Sequence, residues 1–146
     1  MDSVKIHSIA SQSWNDSFLL NIDVIDQQHK KFFDIFDLIL SLNKNEDVVR
    51  VSTVIDELQD YAKYHFKTEE TLMQNANVAN MELHIVQHKF FIDKIKEFTI
   101  AQNYNNPVLT DQIAVFMRKW LLMHITETDR MYVESVQYFL LNDESN

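Results

Sequence analysis

Met81-Glu82-Leu83-His84-Ile85-Val86-Gln87-His88-Lys89-Phe90-Phe91 decides the fold. Met81, His84, His88 and Phe91 recur at steps of three and four, and Ile95 and Phe98 continue the rhythm. The spacing predicts a helix over about Asn80 to Gln102 with one apolar face. Residues four apart on a helix stand one turn apart on the same side. His84 and His88 therefore aim at one point, from the face that should be buried. A buried polar group costs free energy unless it is paired or bound to something.

The same arrangement repeats on either side of this stretch. A helix over about Asp23 to Leu42 carries Ile22, Ile25, Phe32, Phe36 and Leu40 on one stripe, with His29 among them. After the polar break Asn43-Lys44-Asn45, a second helix over about Asp47 to Asn75 carries Val51, Val54, Leu58 and Tyr61, then His65, Glu69 and Leu72. Asn75-Ala76-Asn77 ends it, and Asn103 to Pro107 makes the turn after the third helix. A fourth helix, about Thr110 to Ile125, turns Ile113, Phe116, Met117, Trp120, Leu121 and His124 inward, and a short terminal helix follows over about Asp129 to Leu140. Residues 1–21 read as an irregular arm, polar apart from Trp14, Phe18, Leu19 and Leu20. Four amphipathic helices with short connections predict an all-α fold, an antiparallel up-down-up-down four-helix bundle with an N-terminal arm and a short C-terminal helix. With no repeat, low-complexity tract or linker, residues 1–146 should form a single domain, residues 22–140 being the bundle and terminal helix.

Composition agrees. At 146 residues, 46% of them hydrophobic, the chain is long enough for one real core. It has no glycine and one proline, Pro107, and a β-rich fold needs the tight turns that glycine serves. The absence of cysteine excludes disulfides, thiolate zinc sites, iron–sulfur clusters and a cysteine nucleophile. A formal net charge of −9 argues against nucleic acid and against an anionic membrane as partners. Met1 to Asn21 holds no signal-like apolar run, and nothing approaches the roughly 20 apolar residues of a membrane span. The expected location is cytoplasmic.

Each of the four helices delivers at least one metal-ligand side chain to the interior: His29, His65 with Glu69, His84 with His88, and His124. Asp129 completes the set by an awkward step. Five residues advance about 500°, or about 140° beyond a full turn. For Asp129 to reach the point at which His124 aims, the chain needs a kink, a π-bulge or a break between Ile125 and Asp129. Taken singly these residues have bland readings: His29 as a satisfied core histidine, His65 and Glu69 as an exposed helical pair. Jointly they leave only His7 of the six histidines outside the set. Imidazole and carboxylate suit iron, zinc, copper or nickel. Seven ligands are too many for one such ion, but two carboxylates can bridge two. Five histidines then split as three and two, leaving a vacancy on one metal. Beside a redox metal, that vacancy is where O2 would bind.

Ile25-Asp26-Gln27-Gln28-His29-Lys30, Tyr64-His65-Phe66-Lys67-Thr68-Glu69-Glu70, His84-Ile85-Val86-Gln87-His88 and Trp120-Leu121-Leu122-Met123-His124-Ile125, followed by Asp129, together resemble the hemerythrin family, specifically the bacterial hemerythrins. The resemblance runs from about Trp14 to Tyr132. It implies a cofactor of two non-haem iron ions (Fe2+/Fe3+) with an oxo or hydroxo bridge, and O2 as ligand. By position, His84, His88 and His124 would bind the filled iron and His29 and His65 the open one, with Glu69 and Asp129 bridging. Phe32, Phe66, Trp120, Leu121 and Ile125 would line the O2 pocket. Tyr132 matches a family tyrosine near the site, and Trp14 a family tryptophan. The implied function is reversible O2 binding for storage, delivery or buffering, not catalysis. An oxygen or NO sensor acting through a separate protein partner, or a di-iron oxidase, peroxidase or NO reductase, are the alternatives. No separate acid, base or substrate pocket is visible for the enzyme. One departure concerns the backbone: bacterial members usually carry a glycine shortly before the Ile-Asp-x-Gln-His stretch, where this chain has Asn21. Asparagine tolerates the left-handed conformation next best, so the turn should survive.

Overall fold

The computed structural model describes residues 14–42, 46–101, 103–104 and 106–144. Its helices are α1 (Asp23–Ser41), α2 (Val48–Asn75), α3 (Met81–Ala101), α4 (Leu109–Met123) and α5 (Val133–Glu144). A short 3-10 turn, Asp16–Phe18, precedes α1, and the chain between α4 and α5 is neither straight nor regular. No strand occurs among the described residues. Helix α1 packs on α2, α2 on α3, α3 on α4 and α4 back on α1, so the four long helices close a ring. This is the expected four-helix bundle with its short C-terminal helix. His7 and most of the arm, together with the break at Asn43-Lys44-Asn45, lie outside the described residues.

Local chemistry explains the helix starts. Asp47 caps α2, its carboxylate accepting from the Val49 amide at 2.9 Å. Ile22 at the head of α1 has no polar side chain to offer. Asp26, one turn in, reaches back instead and accepts from the amides of Leu20 (2.8 Å) and Ile22 (3.2 Å). A carboxylate in the first turn also faces the positive end of the helix dipole. Asp26 is buried, and these bonds compensate it there.

The apolar stripes fill the interior as the spacing predicts, with two shifts. Ile39 is buried and Leu40 only partly; Met73 is buried and Leu72 only partly. A helix turns in 3.6 residues, so a stripe followed through several turns falls between neighbouring positions, and packing chooses one. Tyr61, Met81, Phe98 and Phe116 are also partly rather than fully buried. The core has two parts. The larger includes Phe32, Phe36, Leu58, Phe66, Phe91 and Trp120. A smaller one under α5 joins Leu20, Ile22, Ile25, Met73, Tyr132 and Val136. Between them, at the level of His29 on α1 and Glu69 on α2, the interior turns polar.

Three asparagines do the backbone work that glycine usually does. Asn21, Asn77 and Asn80 have φ of 62°, 54° and 61°, and they are the positive-φ residues among those described. Asn21 sets the entry to α1, as the departure at that position anticipates. Asn77 and Asn80 turn the chain between α2 and α3. A β-carbon in this region costs roughly 1–2 kcal/mol, which asparagine lowers by local hydrogen bonding. Asn77→Ala should therefore lower stability by about 1 kcal/mol and Asn77→Gly should not, measured as urea midpoints on protein of fixed metal content.

Candidate metal centre

Seven side chains meet in the polar layer. His29 comes from α1, His65 and Glu69 from α2, His84 and His88 from α3, and His124 and Asp129 from the segment after α4. All seven are buried, and Glu69 and Asp129 are fully so. The five Nε2 atoms converge on the two carboxylates.

Asp129 arrives by the irregularity that its spacing demands. Residues His124–Thr128 form a π-helical turn, and Asp129–Tyr132 a 3-10 turn. The Asp129 amide donates to the His124 carbonyl, five residues back. An i to i+5 bond sets residues five apart above one another. His124 Nε2 consequently lies 2.9 Å from Asp129 Oδ1.

Each carboxylate has one oxygen on either side of the site. Glu69 Oε1 faces His88 Nε2 (2.8 Å) and His124 Nε2 (3.5 Å), while Oε2 faces His65 Nε2 (3.5 Å) and His29 Nε2 (3.7 Å). Asp129 Oδ1 faces His124 and also His84 Nε2 (3.0 Å), while Oδ2 faces His29 Nε2 (3.2 Å). Two groups of ligand atoms thus share Glu69. One is Glu69, His84, His124 and Asp129; the other is His29, His65 and Glu69, each with its atoms within 4.8 Å of one another. His88 joins the first side, its Nε2 being 3.2 Å from that of His124. Two donors each about 2.1 Å from one ion lie about 3.0–3.4 Å apart at right or tetrahedral angles. The separations match the sharing of a cation.

A ring of outer acceptors fixes the imidazoles. His65 Nδ1 donates to the Gln28 amide oxygen (2.7 Å), His88 Nδ1 to the Glu70 carboxylate (2.7 Å) and His124 Nδ1 to the Gln87 amide oxygen (2.6 Å). Each acceptor sits on the preceding helix of the ring and is the sequence neighbour of a predicted ligand. With Nδ1 protonated, a neutral imidazole presents its Nε2 lone pair to the carboxylate oxygens. Lone pairs facing anions at these distances require a positive charge between them. His29 states the demand most sharply. Its two ring nitrogens and Asp129 Oδ2 are buried without a hydrogen bond, since the 3.2 Å approach of Nε2 to Oδ2 is not aligned as one. A cation between Nε2 and Oδ2 would satisfy those two atoms, and the donor set fits iron.

Without a metal, protons supply part of this charge. Burial alone would lower the pKa of His29, but the facing Asp129 and Glu69 carboxylates raise it to about 9. His124 is likewise raised to about 9 by Asp129 and Glu69 against its burial. His65, where burial prevails, is lowered. Burial pushes Glu69 up, yet the surrounding histidines hold it well below the carboxylate range. Burial and the adjacent Glu69 charge raise Tyr132, so its hydroxyl keeps its proton and donates to Glu69 Oε2 at 2.9 Å.

Aromatic rings brace the imidazoles. Phe66 stacks on His88 with centroids 4.1 Å apart, and Trp120 on His124 at 4.3 Å. Phe32 meets His65 edge-on at 5.4 Å. Leu121 and Ile125 are buried in the same core. Gln28, Gln87 and Glu70 lie inside the quoted motifs, but sequence reading gives them no role. Their position beside a ligand is the only signal, because a neighbour in sequence points about 100° round the helix and reads as surface.

Residues 20–136 match the family model of the hemerythrin HHE cation binding domain. The chain belongs to the hemerythrin family. The bacteriohemerythrin of Clostridium acetobutylicum is 33% identical to it over 126 residues, 83% of this chain and 98% of the relative. That of Pseudomonas paraeruginosa is 31% identical, covering 86% of this chain and 81% of the relative. The myohemerythrin of Riftia pachyptila is 28% identical over 120 residues, 82% of this chain and 88% of the relative. No solved structure matches significantly. If His29 and His124 hold a metal in this hemerythrin-family chain, its uptake displaces the protons that their raised pKa values keep on them. Adding Zn2+ to metal-free protein at pH 7 should release protons in a pH-stat. The affinity should fall as pH drops below about 9, since both imidazoles gain protons on that side. Uptake without proton release would contradict the assignment of charge.

Proposed function

We propose that this chain binds O2 reversibly at a non-haem di-iron centre, serving oxygen storage, delivery or buffering in the cytoplasm. The division of each carboxylate between a three-histidine and a two-histidine side carries the reading. In it, His84, His88 and His124 would hold one iron and His29 and His65 the other, with Glu69 and Asp129 offering an oxygen to each. The two-histidine side offers one nitrogen fewer and would leave a position for O2. When bound, the two irons supply electrons that O2 can borrow and return.

The chain's own residues account for reversibility. Five neutral imidazoles stabilise the ferric state less than a carboxylate-rich set would, so release is not opposed. Phe32, Phe66, Trp120, Leu121 and Ile125 are buried apolar side chains, and as pocket walls they would exclude water and the protons that water brings. Tyr132 fixes Glu69 by donating to it. No helix of the described residues is long and apolar enough to cross a membrane.

Anaerobic loading with Fe(II) followed by air tests the proposal. The expected product holds two irons per chain and is visibly coloured, and its colour bleaches under vacuum. Rapid passage to a stable oxidised form with turnover of a substrate would make it an enzyme instead. His88→Ala and Glu69→Ala should each abolish stable two-iron loading, whereas His7→Ala should leave it intact. Leu121→Ala should keep both irons and speed autoxidation several-fold, and an unchanged rate would remove Leu121 from the pocket.

A further inference from the structure

The three outer acceptors are not alike. His65 and His124 donate Nδ1–H to the neutral amide oxygens of Gln28 and Gln87, whereas His88 donates to a carboxylate oxygen of Glu70. Glu70 reaches His88 from the neighbouring helix α2 and its side chain is 30% exposed. The contact thus sits at the edge of the site, where a charge is tolerated. A carboxylate takes a hydrogen bond roughly twice as strongly as a neutral acceptor. By drawing the Nδ1 proton it makes the opposite nitrogen, Nε2, a richer donor. His88 lies on the three-histidine side, its Nε2 2.8 Å from Glu69 Oε1. Phe66, stacked on its ring, keeps the plane in line with both partners.

Resting on the di-iron reading, we propose that Glu70 is a positioning residue that makes the three-histidine side the more electron-rich half of the centre. Through His88 it eases the ferric state of that iron in preference to the other, so the two halves differ in redox character as well as in ligand count. A purely structural Glu70 would only cross-link α2 to α3. Glutamine has the same length and still accepts the hydrogen bond, so it would replace a structural glutamate without effect on the metal.

The test compares Glu70→Gln and Gln87→Glu with the unmodified chain. The readouts are the midpoint potential of the iron-loaded protein and the affinity for Zn2+. Glu70→Gln should load two irons and shift the potential upward. The expected shift is about tenfold in the ferric-to-ferrous ratio at fixed ambient potential, ~59 mV for a one-electron step. Zn2+ should bind about tenfold more weakly, at the low end of the effect of outer partners. Gln87→Glu adds a second carboxylate on the same side, against His124, and should shift the potential downward. If Glu70→Gln fails to load iron, the direction of the Gln87→Glu shift decides. An unchanged or lowered potential in Glu70→Gln, or an unchanged or raised one in Gln87→Glu, overturns the role. Failure of the function proposed above is a separate result. It is iron that loads without binding O2, or does not load at all, while the Zn2+ comparison still reports on Glu70.

Discussion

Two carboxylates buried in the middle of an apolar bundle are the constraint on which this structure turns. Glu69 and Asp129 are fully enclosed, and an isolated buried carboxylate is far too costly to keep ionised. The interior answers with five imidazoles. Three of the imidazoles, those of His65, His88 and His124, have their Nδ1 protons accepted by Gln28, Glu70 and Gln87, and Glu69 takes a further bond from Tyr132. Removing one partner from such a cluster leaves a buried charge exposed to an apolar medium, so its members stand or fall together. A metal-binding free energy realised only when the helices are in place is also folding free energy.

Much of this was legible in the sequence because the ligands obey the periodicity that builds the helices. His29, His65, His84, His88 and His124 sit where apolar residues of the stripe would sit, so the pattern that predicts the bundle also predicts what points into it. The step from His124 to Asp129 broke that periodicity and was informative for the same reason. It could be reconciled with a common target only by irregular backbone, and the chain supplies a π-helical turn there. Asn21 was readable as a stand-in for glycine from its side chain alone. Its counterparts Asn77 and Asn80 lie in a connection where the sequence signals only a break.

What stayed hidden depends on which helices are neighbours. Gln87 follows Val86 and precedes His88 on α3, and nothing in that order says that its amide will meet His124 at the end of α4. Each outer acceptor reaches across one helix interface, and the ring from α1 through α2 and α3 to α4 exists only once the bundle is closed. Leu40 and Leu72 show a milder form of the same limit: the stripe passes between them and their neighbours Ile39 and Met73, and the packed partner selects the neighbour. Sequence periodicity specifies a face, and contact across the interface specifies the residue.

The segment after α4 is where regular hydrogen bonding gives way to ligand aim. A continued α-helix would keep every i to i+4 bond but would carry Asp129 about 140° round from His124. The π turn gives up that pattern for i to i+5 bonding, in which the Asp129 amide donates to the His124 carbonyl. In return Asp129 Oδ1 reaches both His84 and His124. The next residue makes use of the same displacement. Arg130, turned outward, donates to the carbonyls of Ser17 and Leu19, while Gln137 on α5 donates to those of Leu20 and Asn21. These contacts, with Asp26 on the amides of Leu20 and Ile22, hold the segment before α1 against the end of the bundle next to the polar layer. One irregular turn therefore serves two ends: it brings a carboxylate to the centre and it anchors the entry segment that closes the apolar cluster beneath.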